Sequence, residues 1–278
     1  MRFKITLNRT TKQRMLPMDY QYYISAWIYS VLKQADSDFA RFLHEKGYGQ
    51  DASKLYKLFC FSPMDFGKPK LWKEKKLFEI DAHYIKFKVS FDVPEAASNF
   101  IKGLFMRQEF YLGDKFNGID FAVTQVEALA EPYFSEIMKY HLVTPWVVSY
   151  QSEHDKYPQY LSPDDERFHS LAIKHLVEKY NNTRNNHVKI SSDQMKLSLK
   201  TSFKRAGFVM KPGTREESRV VGNLFDFELS APVEVHRMIW NAGVSEKSSS
   251  GFGWLALTNS SSTKVSIESN GNYNRFKS

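Results

Sequence analysis

Hydrophobic periodicity switches between two and about 3.6 residues in the same order twice along this 278-residue chain, which leaves few folds open to it. Phe3, Ile5 and Leu7 alternate with Lys4, Thr6 and Asn8, predicting a half-buried first strand. A helix is expected from Tyr20 to about Lys33, capped by Asp19, with Tyr23, Trp27, Ile28 and Val31 along one apolar stripe. A shorter helix from Ser37 or Asp38 buries Phe39, Phe42 and Leu43 and stops at Gly47. Lys54 to Phe61 reads as a strand, 62–76 as a loop or the tip of a long hairpin, and Ile85, Phe87, Val89 and Phe91 as one face of another strand. Pro94 opens a helix that reaches roughly Gly103, and residues 119–128 complete a last strand. The order is β-α-β-β-α-β across residues 1–128, the ferredoxin-like pattern.

Residues 137–257 repeat it. A strand near Lys139–Ser149 precedes a helix that Ser162 caps and Pro163 opens, with Phe168, Leu171, Ala172, His175 and Leu176 on one face. Met195, Leu197 and Leu199 alternate with Lys196, Ser198 and Lys200, and residues 219–229 form the next strand. Ser230 caps a short helix through Met238 to Trp240, and Trp254–Leu257 is the last strand. The expectation is an α+β protein of two tandem ferredoxin-like domains joined near 129–136, with a Ser/Asn-rich tail from 258 to 278 that reads as disordered beyond its first residues.

Lys and Arg number 39 against 31 Asp and Glu, a formal charge of +8 that favours nucleic acid or another anionic surface as partner. The cations cluster: Lys68, Lys70, Lys73, Lys75 and Lys76 form one group, and Lys196, Lys200, Lys204, Arg205, Lys211, Arg215 and Arg219 another. The single cysteine, Cys60, rules out an internal disulfide and sits in an apolar run as a core thiol, in keeping with a reducing compartment. The opening alternation is a strand and not a signal peptide, and no apolar run approaches membrane-spanning length. A soluble, cytoplasmic protein is expected.

Between the last helix and strand lies Asn241-Ala-Gly243-Val-Ser-Glu-Lys247-Ser248-Ser-Ser-Gly251-Phe-Gly253-Trp254. Glycines let the backbone come close to a ligand, serine hydroxyls and free amides suit phosphate oxygens, and Lys247 adds charge. Gly251 to Ala256 imitates a dinucleotide fingerprint, but no helix, second strand or later acid follows it. No glycine is followed by Lys-Ser/Thr, so a phosphate-binding P-loop is excluded too. A polymer rich in phosphate suits the loop better than a nucleotide cofactor. The aromatic signature of an RNA-recognition motif is missing from the central strands, which shifts any RNA contact to loops and basic patches.

His44 ends the second helix, where an imidazole exchanges protons near neutral pH, as phosphodiester cleavage requires. A helix-terminal histidine that stabilises carbonyls is the plainer alternative. His236 is the second candidate. No His-Glu-x-x-His, paired cysteines or clustered aspartates suggest a metal, and no cofactor is expected.

Tyr20-Gln-Tyr-Tyr-Ile-Ser-Ala-Trp-Ile-Tyr29, then Phe42-Leu-His44-Glu45, the Lys54–Phe59 segment and the glycine-rich loop together resemble the CRISPR repeat-RNA endoribonucleases. The resemblance covers the chain to about Leu257, with the middle matching in general pattern only. It implies cleavage of CRISPR precursor RNA within its repeats without metal, by attack of a ribose 2′-hydroxyl that leaves a 2′,3′-cyclic phosphate and a 5′-hydroxyl. Carried over one residue at a time, it assigns Tyr29, His44 and Lys54 as catalytic, with Tyr22 or Tyr23 and Lys46 or Lys57 as alternatives. It assigns RNA binding to Lys200, Lys204, Arg205, Lys211, Gly243, Lys247, Ser248, Gly251 and Gly253. A non-catalytic subunit that retains the RNA in an interference complex is the alternative function, and a DNA- or acidic-protein-binding domain a third. The implied partners are the repeat RNA and other subunits of such a complex. A homodimer is compatible with the resemblance, though no residue specifies one.

Overall fold

The computed structural model describes residues 1–50, 54–184 and 189–258. The tail expected to be disordered lies, beyond Thr258, outside the described residues.

In the first half, strand Arg2–Arg9 pairs antiparallel with Tyr84–Phe91 on one side and Gly118–Leu129 on the other. The five-stranded sheet runs in the order 59–61, 84–91, 2–9, 118–129, 109–113. Without its last strand this is the ferredoxin-like arrangement. Helices α1 (Tyr20–Ala35) and α3 (Pro94–Met106) cover one face, and α2 (Ser37–Glu45) follows α1. The alternation noted at 3, 5 and 7 decides which face they cover. Ile5 and Leu7 are fully buried and join Ile85, Phe87, Ile24, Trp27 and Phe100 in one core.

The second half has the same topology: strands 196–199, 226–230, 137–142 and 255–257 lie side by side in that order. Helices α4 (Glu166–Thr183) and α5 (Val233–Ala242) pack Phe168, Leu176, Met238 and Ile239 against Tyr140, Phe227 and Leu229.

Several local readings need correction. The Lys54–Phe61 strand shrinks to Phe59–Phe61, because the chain first makes an isolated bridge between Tyr48 and Tyr56 and takes a positive φ of 54° at Leu58. The cap of α4 is Asp165, whose carboxylate accepts from the Arg167 amide at 2.9 Å, and not Ser162. The cap of α5 is Pro232, not Ser230. Asp19 precedes α1 but makes no capping bond; its carboxylate instead accepts from the Val209 amide of the other half at 2.9 Å. The single strand expected at 219–229 is two, Ser218–Leu224 and Asp226–Ser230, and the first pairs with an unforeseen strand, Lys204–Met210. The strand near Lys139–Ser149 ends at Leu142.

Two buried cations brace the junction, Arg2 between the halves and Lys179 within the second half. Arg2 is 5% exposed and donates to the Trp240 carbonyl at 2.6 and 2.8 Å and to the Leu255 carbonyl at 2.9 Å, between the rings of Trp240 and Trp254. Lys179 of α4, 3% exposed, donates to the carbonyls of Ala242 and Gly243 at 3.2 and 2.8 Å, and burial pulls its ammonium down to about 8. Cys60 is a fully buried core thiol facing the Phe252 carbonyl at 3.3 Å, and burial pushes it up to about 12. Among the described residues no helix is long and apolar enough to cross a membrane.

Candidate active site and RNA interface

The site forms where α1 and the end of α2 meet the glycine-rich loop. Asp36 starts α2 by accepting the amides of Asp38 and Phe39 at 3.1 and 2.9 Å, which fixes the helix phase and leaves His44 exposed in its last turn. The chain then reverses at Gly47, whose φ of +81° a side chain rarely adopts and whose Cβ position lies 2.6 Å from the Tyr56 carbonyl. The reversal brings Lys57 back to α2. Its ammonium donates to the His44 carbonyl at 2.7 Å and, half-buried, has its pKa lowered by desolvation.

Tyr29 meets His44 edge-on, with ring centroids 5.0 Å apart and planes at 82°. Its other neighbour is Phe59, at 5.5 Å. Burial pushes the Tyr29 hydroxyl up to about 12, with the Ser249 side chain close enough to offset part of that rise. The Ser249 carbonyl in turn accepts from the Ser25 hydroxyl at 2.8 Å. Asp19, Tyr22, Ser25 and Tyr29 recur at three- and four-residue spacing, so one stripe of α1 faces the second half.

The glycines of the loop serve this junction. Gly251 is buried with φ +89°, and a Cβ there would lie 2.7 Å from the Phe61 ring. Gly243 and Gly253 are buried as well, and the Ser248 hydroxyl is spent on the Ser245 carbonyl at 2.6 Å. These four residues, expected to touch RNA, are packed inside because the loop must lie flat on strand Phe59–Phe61. Lys247 is exposed, and Ser249 and Ser250 are partly so. Glu246 anchors the loop by accepting from the amide and hydroxyl of Ser149 at 2.8 and 2.6 Å.

Lys54 points elsewhere: its ammonium pairs with Glu178 of α4 at 2.6 Å. Of the lysines weighed for the site, Lys57 is the one held against the His44 turn. His236 is a core residue, fully buried and bonded to the Tyr140 hydroxyl at 3.0 Å.

The basic side chains do not all gather at the site. Lys200 follows the edge strand 196–199 and pairs with Glu228 at 3.1 Å. That edge is three strand spacings, about 14 Å, from the strand that the glycine loop enters. Lys204, Arg205 and Lys211 are exposed on the 204–224 hairpin, where Arg205 donates to the Tyr160 carbonyl at 3.1 Å and Lys211 pairs with Glu216. The hairpin lies beside the loop, since the Phe208 and Phe252 rings pack at a 30° tilt with centroids 4.2 Å apart.

Sequence reasoning missed the Ser249 contact and preferred Lys54 to Lys57. The glycine spacing marked the loop but not which of its serines turns outward.

The fold is that of two tandem ferredoxin-like units with a glycine-rich loop before the last strand of the second. Residues 129–257 match the family "CRISPR associated protein Cas6, C-terminal" and residues 15–127 "CRISPR-associated protein Cas6, N-terminal". The chain belongs to the Cas6 family. It is 29% identical over 283 aligned positions to the CRISPR-associated endoribonuclease Cas6 of Pyrococcus furiosus, covering 96% of this chain and 94% of that one. The solved structure of a Cas6-related gene product from the same organism superposes with a TM-score of 0.76 at 21% identity, over 94% of this chain and 99% of that one. A RAMP protein that binds different RNA substrates gives 0.74 at 20% identity, over 93% and 100%.

Proposed function

We propose that this chain is an endoribonuclease that cuts CRISPR precursor RNA within its repeats through the ribose 2′-hydroxyl. The meeting of Tyr29 and His44 beside the outward face of the glycine loop carries the reading. The 2′-oxygen attacks the adjacent phosphorus, the bond from phosphorus to the 5′-oxygen breaks, and the products are a 2′,3′-cyclic phosphate and a 5′-hydroxyl. One proton leaves the 2′-hydroxyl and one reaches the departing oxygen.

His44 is assigned a proton-transfer role, because a histidine both gives and takes protons near neutral pH. Tyr29, raised to about 12, stays protonated there, so it serves as a hydrogen-bond donor that orients the reacting groups and not as a base. Lys57 takes the place first assigned to Lys54, offering a cation near His44 for the charge that grows on the phosphate. Lys247 and the 204–224 hairpin bind phosphates and set affinity, not sequence. The mechanism needs no metal, since His44 supplies the proton transfer, Tyr29 the orientation and Lys57 the charge.

The test is single-turnover cleavage of labelled cognate repeat RNA in EDTA by wild type and His44→Ala, with a 2′-deoxy substitution at the scissile position as control. Cleavage by wild type that both changes abolish supports the mechanism. Tight binding without wild-type cleavage would favour a subunit that only retains RNA.

A further inference from the structure

The cleavage reading leaves one cationic cluster unused, the lysines between 68 and 76. Strands Lys70–Trp72 and Leu77–Glu79 form a hairpin, and the second strand also pairs with Met15–Pro17. Lys68, Lys70, Lys73, Lys75 and Lys76 are all exposed, with Glu74 the one acid among them. At the centre stands Trp72, 37% exposed. Its indole N–H donates to the Glu79 carboxylate at 2.9 Å, which holds the ring in one orientation. The ammoniums of Lys70 and Lys75 lie 4.6 and 5.4 Å from the ring centroid. A large ring is thus held at the surface in one orientation beside two cations.

The hairpin is also placed in line with the site. The Met18 amide donates to the Lys76 carbonyl at 2.9 Å, which ties it to the start of α1. There the Asp19 carboxylate accepts from the Val209 amide of the 204–224 hairpin at 2.9 Å, so the two hairpins approach one another at the start of α1. Ten residues separate Asp19 from Tyr29, about 15 Å along α1. The 70–79 hairpin thus lies at the start of the same helix that carries Tyr29 of the proposed cleavage site.

We propose that the 70–79 hairpin is a second RNA-binding element, on which Trp72 stacks an unpaired base of the repeat RNA while the surrounding lysines hold its phosphates. The inference rests on the endoribonuclease reading and adds to it a contact remote from the chemistry. An exposed cation–π contact is worth about a two- to fivefold preference, whereas stacking a base on an aromatic side chain is worth about five- to 150-fold. A base therefore displaces Lys70 and Lys75 from the ring, and the freed ammoniums turn to the adjacent phosphates. A paired base offers no free face, so single-stranded RNA is the ligand.

The experiment measures binding of cognate repeat RNA, full length and shortened from each end, in the His44→Ala background. Trp72→Ala is expected to weaken the full-length complex by about five- to 150-fold, and Trp72→Phe to restore most of it. The loss should vanish on RNA shortened from one end only, because the stacked nucleotide is then missing from both complexes. Replacing Lys70, Lys73 and Lys75 by Gln should reduce the salt slope by about 0.7 for each phosphate that the hairpin no longer neutralises. Unchanged affinity and slope in these variants, with a wild type that binds and cleaves, would overturn the hairpin's role and leave the enzyme reading standing. Equal weakening on every RNA with a lowered melting temperature would also overturn it, as a folding defect. A wild type that neither binds nor cleaves the repeat RNA removes the reading underneath.

Discussion

The ring of Tyr29 stands edge-on to His44 at 5.0 Å while its hydroxyl lies close to the side chain of Ser249, 220 positions along the chain. Tyr29 thus connects His44, the proposed proton-transfer residue, to the loop proposed to receive the phosphate. Because its hydroxyl is held at about 12, it does not titrate over the usual assay range. Tyr29→Phe is expected to lower the single-turnover rate by the same factor, about 10-fold, from pH 6 to 9, less than the roughly 10² to 10⁴ that a proton-transferring group contributes. His44→Ala should cost about 10² to 10⁴ with binding retained. A Tyr29→Phe deficit that disappears at high pH would contradict the orienting role.

Lys57 and Lys54 separate by environment. Lys57 is half-buried against the last turn of α2, and Lys54 forms a partly exposed pair with Glu178. Lys57→Ala should slow cleavage by about 10² or more, as expected when a cation near developing charge is removed. Lys54→Ala should leave the rate within about threefold and change stability by about 0–1 kcal/mol. Paired single-turnover rates and denaturant midpoints decide it. The reverse order of rates would return the assignment to Lys54.

This pair also shows where sequence legibility ends. The alternation of Phe3, Ile5 and Leu7 reports burial on one sheet face directly, so the core and both β-α-β-β-α-β units could be read from it. The Lys54–Phe61 segment carries similar letters, yet the positive φ at Leu58 breaks the period and changes which lysine approaches α2. The Lys204–Met210 strand escaped because Ala206 and Gly207 interrupt any alternation, and its burial comes from contacts with Phe252 and α1. The exposed place of His44 at the end of an amphipathic helix was legible. The inward packing of the glycines was not, because it depends on Phe61 and Cys60, nearly two hundred residues earlier.

Gly251 offers a direct test of that packing. An alanine would have to keep φ at +89° and place its Cβ 2.7 Å from the Phe61 ring. Gly251→Ala should therefore destabilise the protein by about 1–3 kcal/mol. It should slow cleavage as well, since displacing the loop moves Ser249 from Tyr29. Adding Phe61→Leu removes the ring contact but not the backbone strain, so the double variant should lose less than the two single losses added together. Thermal melts of the four proteins measure the coupling. Strict additivity would mean that the loop does not bear on Phe61.

His175 of α4 makes the fold sensitive to acid. Its ring centroid lies 5.9 Å from that of Tyr56 across the junction, and desolvation, with Lys179 and Lys54 adding repulsion, lowers its pKa to about 3. In the unfolded chain a histidine protonates near 6.5. Between about pH 3 and 6.5 the unfolded state thus binds the extra proton, and stability rises with pH through that window. Acidification from pH 7 to 4.5 should therefore destabilise wild type progressively, and His175→Gln should show a shallower dependence over the same range. Carboxylates that titrate below pH 5 act on both proteins alike, so the difference between their urea midpoints isolates the histidine. Parallel midpoint curves would show that His175 takes up its proton within the folded protein, and that the junction around Tyr56 admits enough water to solvate it.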